Sequence, residues 1–188
     1  MIRWICKLIL RAWGWNVRGD YPRQIAKLVL VAAPHTSNWD FPVGVLVNTA
    51  YSLKANYVGK STLFRWPFGR LFRALGGVPV DRSKRNNFVQ ATVEAFAREP
   101  RLHLVIAPEG ARKRVERFKT GFYHIARLAQ TPILLTTFDW KLREVHFGEL
   151  FYPTGDEQRD LAYIWDYFKG AVGKRPEYGL GANPYVAQ

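Results

Sequence analysis

Apolar and basic positions recur with a helical period in the first eighteen residues. At about 100° per residue, Arg3, Lys7, Arg11 and Arg18 fall in one narrow arc, and apolar side chains occupy the rest of the circumference. This pattern predicts an amphipathic N-terminal helix. Such a helix either packs on the core with its charges solvated or lies in a membrane interface, where tryptophan and basic residues are favoured. We expect residues 1–26 to form a membrane-contact segment.

The N-terminal segment does not resemble a membrane span or a cleaved leader peptide. Basic residues interrupt its apolar run every fourth position, and no small-residue cleavage site follows. No stretch of about 20 uninterrupted apolar residues occurs anywhere in the chain. The sequence therefore favours peripheral attachment to a membrane over integral insertion.

From residue 27 onward, short apolar runs alternate with segments of helical periodicity. This alternation predicts an α/β fold in a single domain, with a mixed, partly parallel sheet flanked by helices. We place this domain at residues 27–173 and expect an irregular tail at 174–188. The run 141–152 is expected to add an edge pair of strands. The predicted strands are 27–33, 55–59, 77–80, 102–107 and 132–138, and the predicted helices are 41–53, 67–75, 86–99, 120–130 and 156–172.

The charge of the chain indicates an anionic partner. Its 28 lysines and arginines exceed its 15 acidic residues, which gives a formal net charge of +13. A bilayer surface, a phosphorylated substrate or a nucleic acid would satisfy this excess. The excess lies entirely before residue 139. A lone cysteine, Cys6, argues against a disulfide framework or a cysteine-based zinc site.

A histidine and an aspartate flank the loop that follows the first predicted strand of the domain. In open α/β sheets, ligands bind at the loops that follow the carboxyl ends of the strands. Asp40 can reach back from the first helical turn to orient the imidazole of His35, which then accepts a proton. The alternative is that Asp40 or Asn38 only caps the helix. Ser37 lacks the G-x-S-x-G context of a nucleophile.

Two further charged loops follow predicted strands. Arg82 lies in the segment 76–83, where a guanidinium could bind phosphate oxygens in a bidentate manner. The second loop, 108–114, contains Glu109, a glycine that allows a ligand to approach the backbone, and a basic cluster. Because both loops follow strands, we expect them to converge with the His35 loop at one edge of the sheet.

The stretch 63–73 interleaves aromatic and arginine side chains. Three interpretations remain open at this stage: packing against the core, a ridge that faces a bilayer or lines an acyl pocket, and stacking on nucleobases. No RNP, KH or helix-turn-helix pattern accompanies the stretch, so nucleic acid is the least favoured partner.

Taken together, these motifs resemble the glycerolipid acyltransferases, notably the 1-acylglycerol-3-phosphate acyltransferase family of the lysophospholipid acyltransferase superfamily. The resemblance rests on H-x-x-x-x-D at 35–40, G-G-V-P-V-D-R-S at 76–83 and P-E-G-A-R at 108–112. It extends from about residue 27 to 138 and includes K-T-G-F at 119–122 with T-P-I-L-L at 131–135. It implies a glycerolipid acyltransferase-like fold.

The resemblance also implies roles for individual residues. His35 would be the general base and Asp40 its orienting partner. No metal or cofactor is implied, and acyl-CoA or acyl carrier protein would be the acyl donor. The family usually has threonine where this chain has Ala111, which removes one possible hydrogen bond to the acceptor. The residues implied to bind the acceptor are Arg82, Glu109, Gly110, Arg112 and Lys119.

The expected function is transfer of a fatty acyl group from a thioester to the hydroxyl of a lysophospholipid, with lysophosphatidate giving phosphatidate as the leading case. The expected location is the cytoplasmic face of a membrane, with an anionic surface as partner and no nucleic acid. Two alternatives remain. The enzyme could acylate another hydroxylated lipid or amphiphile, or the chain could be a catalytically silent peripheral membrane-binding protein.

Overall fold

A computed structural model describes residues 1–60, 62, 65–74, 76–80 and 85–186. Strands and helices alternate along the domain, as the hydrophobic pattern predicts. The strands are β1 (Asn16–Arg18), β2 (Lys27–Ala33), β3 (Asn56–Lys60), β4 (Gly77–Val80), β5 (Leu102–Ile106), β6 (Ile133–Asp139) and β7 (Glu144–Phe151). The helices are α1 (Ile2–Ala12), α2 (Asp40–Tyr51), α3 (Gly69–Ala74), α4 (Arg85–Arg98), α5 (Gly121–Leu128) and α6 (Glu157–Phe168).

The described strands form one mixed sheet in the order β1-β7-β6-β2-β5-β3-β4. Strands β6, β2, β5, β3 and β4 run parallel to one another, while β7 is antiparallel to β6 and parallel to β1. The predicted α/β fold with a mixed, partly parallel sheet is therefore confirmed. Because β2 lies between β6 and β5, the loops after these three strands meet at the same edge of the sheet.

Helices cover both faces of the sheet, and the side chains of β2 alternate between them. Val29 and Val31 belong to a core cluster with residues of α4, α5 and α6. Leu28 and Leu30 belong to a second cluster with residues of α1 and α2. Successive side chains of a strand point to opposite faces, so a continuous apolar run is what a central strand buried on both sides requires.

The edge of the sheet beyond β6 differs from the prediction. The run 141–152 forms a single strand, β7, and not a pair. Its outer neighbour is β1 from the N-terminal segment, with Asn16 opposite Glu144 and Val17 opposite Val145. Three residues carry too little periodicity to predict a strand, and their partner lies far away in the sequence.

Helix α1 is present where the amphipathic pattern predicts it. Only Cys6 and Leu10 are buried, and both pack into the cluster that contains α2. The apolar side chains that the core leaves exposed include Ile2, Trp4, Ile5, Leu8 and Ile9. None of the helices among the described residues combines the length and apolar character needed to cross a membrane.

In the tail after α6, as far as residue 186, the one regular element is a short 3-10 turn, Pro176–Tyr178. It nevertheless contacts the domain. The hydroxyl of Tyr185 accepts a hydrogen bond of 2.9 Å from the backbone N–H of Phe118, and the backbone N–H of Arg175 donates to the hydroxyl of Thr36 at 3.1 Å. The second of these contacts ties the tail to the loop that carries His35.

Candidate active site

His35 and Asp40 form a contact across the loop between β2 and α2. The Nδ1 atom of His35 lies 3.0 Å from Oδ2 of Asp40. The imidazole is 26% exposed, whereas the carboxylate is only 4% exposed. An ionised carboxylate at this position keeps the proton on Nδ1, so Nε2 becomes the ring nitrogen that can accept a proton. The pair thus has the geometry of a base and its orienting partner.

Both oxygens of the Asp40 carboxylate accept further hydrogen bonds. The backbone N–H of Ser37 donates to Oδ2 at 2.9 Å, and the indole Nε1–H of Trp140 donates to Oδ1 at 2.6 Å. The N-cap residue of α2 is Trp39, and its side chain makes no capping hydrogen bond. These donors, together with His35, hold both oxygens of the buried carboxylate in one orientation.

Glu109 follows β5 and reaches the same loop. Its Oε1 accepts a hydrogen bond of 2.8 Å from the backbone N–H of His35. The second oxygen, Oε2, is buried and has no hydrogen-bond partner among the residues that the structure describes. Burial raises the pKa of Glu109, and the bond from the His35 backbone opposes this effect. Glu109 therefore holds the backbone of His35 in place and keeps one polar atom unsatisfied.

Gly110 and Lys119 lie against each other in the loop after β5. The φ angle of Gly110 is +65°, a left-handed conformation that glycine adopts at little cost. A Cβ added to Gly110 would lie 2.6 Å from Cδ of Lys119. The backbone N–H of Lys119 also donates to the carbonyl of Pro108 at 2.8 Å, which brings the loop back on itself. The positive φ favours glycine at this position, whereas the flexible Lys119 side chain could move to make room for a Cβ.

The structure brings some of the expected site residues together and leaves others apart. His35 contacts both Asp40 and Glu109, and Gly110, with Lys119 against it, follows Glu109 directly in the chain. Arg112 is exposed and makes no hydrogen bond or ion pair with the described part of the chain. Arg82 lies outside the described residues. Within the ranges that are described, no group of three or more His, Cys, Asp or Glu could hold a metal ion.

Trp140 contacts Asp40 but is not among the site residues predicted from the sequence. It follows β6 directly, and β6 is paired in parallel with β2, with Thr137 opposite Ala33. Residues just past the end of β6 must therefore lie near the loop that contains His35. The available indication was a large side chain with a polar N–H two positions after the predicted strand 132–138. Its use required knowing that β6 and β2 are neighbours.

Comparison with known proteins gives the site its context. The acyltransferase family profile matches residues 15–137, which is more than half of the chain. The chain belongs to the acyltransferase family. The protein is therefore an acyltransferase, and the predicted family is confirmed. The matched span contains every described residue that the motifs identified, namely His35, Asp40, Glu109, Gly110, Arg112 and Lys119. Trp140 lies beyond it.

A solved structure supports the same fold for this acyltransferase. The protein resembles the crystal structure of the 1-acyl-sn-glycerophosphate (LPA) acyltransferase, PlsC, from Thermotoga maritima, with a TM-score of 0.62 and 18% sequence identity. The alignment covers 89% of this chain and 75% of the PlsC chain. A comparison with curated protein sequences finds no match. At this identity, the structural likeness establishes the shared fold.

Proposed function

We propose that this acyltransferase transfers a fatty acyl group from an acyl-CoA or acyl carrier protein thioester to the hydroxyl of a lysophospholipid, with lysophosphatidate giving phosphatidate as the leading reaction. The proposal is carried by one observation, the contact of 3.0 Å between His35 and a buried Asp40 at the carboxyl end of a central parallel strand. The lipid acceptor is suggested by the activity named for the structurally similar Thermotoga maritima enzyme.

In the proposed mechanism, Nε2 of His35 removes the proton of the acceptor hydroxyl as its oxygen attacks the thioester carbonyl. An alcohol is a poor nucleophile at neutral pH, so this step needs a positioned base. The new C–O bond forms a tetrahedral intermediate, and Asp40 stabilises the imidazolium that results. Collapse of the intermediate breaks the C–S bond. The departing thiolate then takes the proton from His35, which restores the base without an acyl-enzyme.

The loop after β5 would supply the acceptor site. Arg112, three positions after Glu109, and Lys119, which lies against Gly110, add positive charge to this loop, and a phosphate-bearing acceptor is attracted to such a field. The buried Oε2 atom of Glu109, which lacks a partner among the described residues, could accept a hydrogen bond from a hydroxyl of the lipid substrate. Arg82 is proposed as a further phosphate ligand on the basis of its motif alone.

Membrane contact is proposed for two exposed apolar surfaces. The first is the outer face of α1, where isoleucine, leucine and tryptophan side chains are exposed beside Arg3, Lys7 and Arg11. The second contains Trp66, which is 93% exposed, with Phe68 and Leu71. Amphipathic helices with such faces bind bilayer interfaces through apolar burial and attraction to anionic lipids. The protein would then act as a peripheral enzyme on the cytoplasmic side.

A second candidate is an acyltransferase that acts on another hydroxylated lipid or amphiphile. Ala111 favours it, because the hydroxyl usual at this position in the family is absent and one possible bond to the acceptor headgroup is lost.

The two candidates separate in an assay of purified protein with one acyl-CoA donor and a panel of acceptors. Products are identified by mass spectrometry. Phosphatidate formed at the highest kcat/KM supports the leading reaction, and preference for another acceptor supports the second candidate. A wild-type protein that binds vesicles but consumes no thioester with any acceptor would indicate a catalytically silent membrane-binding protein.

A further inference from the structure

The indole of Trp140 contacts Asp40 on the side away from His35. His35 and the backbone N–H of Ser37 both lie at Oδ2. The Nε1–H of Trp140 is the one donor that the described residues supply to Oδ1, at 2.6 Å. Hydrogen bonds to an ionised acceptor are short and about twice as strong as neutral ones. Trp140 therefore binds Oδ1 of Asp40, whereas His35 contacts Oδ2.

Trp140 is itself held rigidly. Its backbone N–H donates to the carbonyl of Val172 at 2.8 Å. Its ring packs edge-on against Trp15, with centroids 4.9 Å apart, and against Trp13 at 6.1 Å. The Nζ atom of Lys174 lies 4.5 Å from the centroid of the Trp140 ring and 4.6 Å from that of Trp39. A cation over the ring withdraws electron density from it, which strengthens the indole N–H as a donor.

We propose that Trp140 is a positioning residue that fixes the Asp40 carboxylate for its work on His35. This inference rests on the proposed role of the pair in acyl transfer. The terminal torsion of an aspartate is soft. Without a donor at Oδ1, the carboxylate can rotate about this torsion and move Oδ2 out of line with Nδ1 of His35. Since the effect passes through Asp40, it falls on the chemical step and not on substrate binding.

The test compares Trp140→Phe with Trp15→Phe. Both changes remove an indole N–H from the same aromatic cluster, but Nε1 of Trp15 has no hydrogen-bond partner among the described residues. Trp140→Phe should lower kcat about tenfold to a hundredfold, the size expected for loss of a bond to a charged group. It should leave both KM values within about twofold. Trp15→Phe should keep kcat near wild type.

A coupling measurement separates positioning from general damage to the core. If Trp140 acts only through Asp40, Trp140→Phe should add no further loss of kcat in a protein that already carries Asp40→Asn. Multiplicative losses in the double variant would overturn the inference. Equal kcat in wild type and Trp140→Phe would also overturn it, as would an equal loss in Trp15→Phe.

A spectroscopic measurement does not require replacing Trp140. In protein labelled with ¹⁵N at tryptophan, the Nε1–H resonance of Trp140 should lie downfield and should move upfield in Asp40→Asn, because the charged acceptor is lost. The Nε1–H resonance of Trp15 should move much less. An unchanged Trp140 resonance would overturn the inference. Absence of transfer by the wild-type protein would instead refute the proposed function, so the two failures are distinguishable.

Discussion

Asp40→Asn removes one negative charge from beside His35 and leaves a side chain of nearly the same shape. If Asp40 stabilises the imidazolium that forms during transfer, kcat should fall sharply while the fold persists. If Asp40 only holds the loop, an amide, which can accept at only one of the two oxygen positions, should lower stability modestly and leave kcat near that of the wild type. The substitution therefore separates a charge-stabilising role from a structural one.

The size of the loss follows from the geometry. Unit charges 3.0 Å apart, the separation of Nδ1 and Oδ2, interact by about 5 kcal/mol at an effective dielectric constant of about 20. Asp40 is only 4% exposed, so water screens the pair weakly. A loss of this size corresponds to about 10³-fold to 10⁴-fold in kcat. The amide group must also turn its NH₂ towards an N–H donor, either Trp140 or Ser37, which adds to the loss.

The assay follows thiol release from acyl-CoA with lysophosphatidate as acceptor, and circular dichroism checks the fold. His35→Ala should abolish transfer because no base remains. Asp156→Asn is the matched control, since Asp156 caps α6 by accepting a hydrogen bond from the backbone N–H of Arg159 at 3.1 Å. It should keep full activity. Wild-type turnover by folded His35→Ala or by Asp40→Asn would refute the general-base mechanism.

Four further changes test other parts of the molecule. Glu109→Gln should make stability depend less on pH. Burial raises the pKa of Glu109 in the folded protein. The contribution of Glu109 to the free energy of unfolding is therefore fully present below the ordinary pKa of 4.5 and is lost as the pH rises through the pKa of the folded state. Melting temperatures between about pH 4 and pH 8 measure this slope, and an equal slope in both proteins would contradict it. Gly110→Ala should cost about 1–3 kcal/mol in urea unfolding, because the φ angle at this position is positive, whereas Gly170→Ala, with nothing within 4 Å of the added Cβ, should cost less. Replacing Arg3, Lys7 and Arg11 together by alanine should lower the affinity for anionic vesicles, measured by sedimentation at low salt, by on the order of a hundredfold, at about 1 kcal/mol for each charge. Undiminished binding would point to the surface around Trp66. Arg82→Ala should raise the KM for the phosphate-bearing acceptor much more than the KM for the donor, and unchanged values for acceptor KM and turnover would remove Arg82 from the phosphate site.

Local patterns predicted the elements that lie close together in sequence. The run 27–33 is apolar at every position but the first, and it forms β2 with the predicted bounds. His35 and Asp40 are separated by five positions, across a short loop between a strand and a helix. Their proximity therefore followed from the length of that loop alone. The family resemblance added roles to these residues, and the family itself is confirmed.

The sequence predicted that the loops carrying His35 and Glu109 converge at one edge of the sheet, but it did not predict the individual contacts that join distant segments. The bond from His35 to Glu109 spans 74 positions, and the bond from Trp140 to Asp40 spans 100. Both depend on the order of strands in the sheet, which alternation of strands and helices does not determine. The three-residue strand β1 was missed for the same reason, because its pairing with β7 and not its own composition makes it a strand.

The strand order explains why the pair can be rigid at the edge of a sheet. Strand β2, which carries the His35 loop, has β5 on one side and β6 on the other. The exit of β5 supplies Glu109, which binds the backbone of His35, and the exit of β6 supplies Trp140, which binds the side chain of Asp40. Each member of the pair is thus held from a different neighbouring strand. A loop bound by one neighbouring segment could rotate about that single contact. Two hydrogen bonds from opposite sides, one from Glu109 and one from Trp140, restrict the movement of the loop in both directions. The parallel arrangement of β6, β2 and β5 therefore places the loop at an accessible edge of the sheet. It also brings Glu109 and Trp140 to this loop from separate parts of the chain.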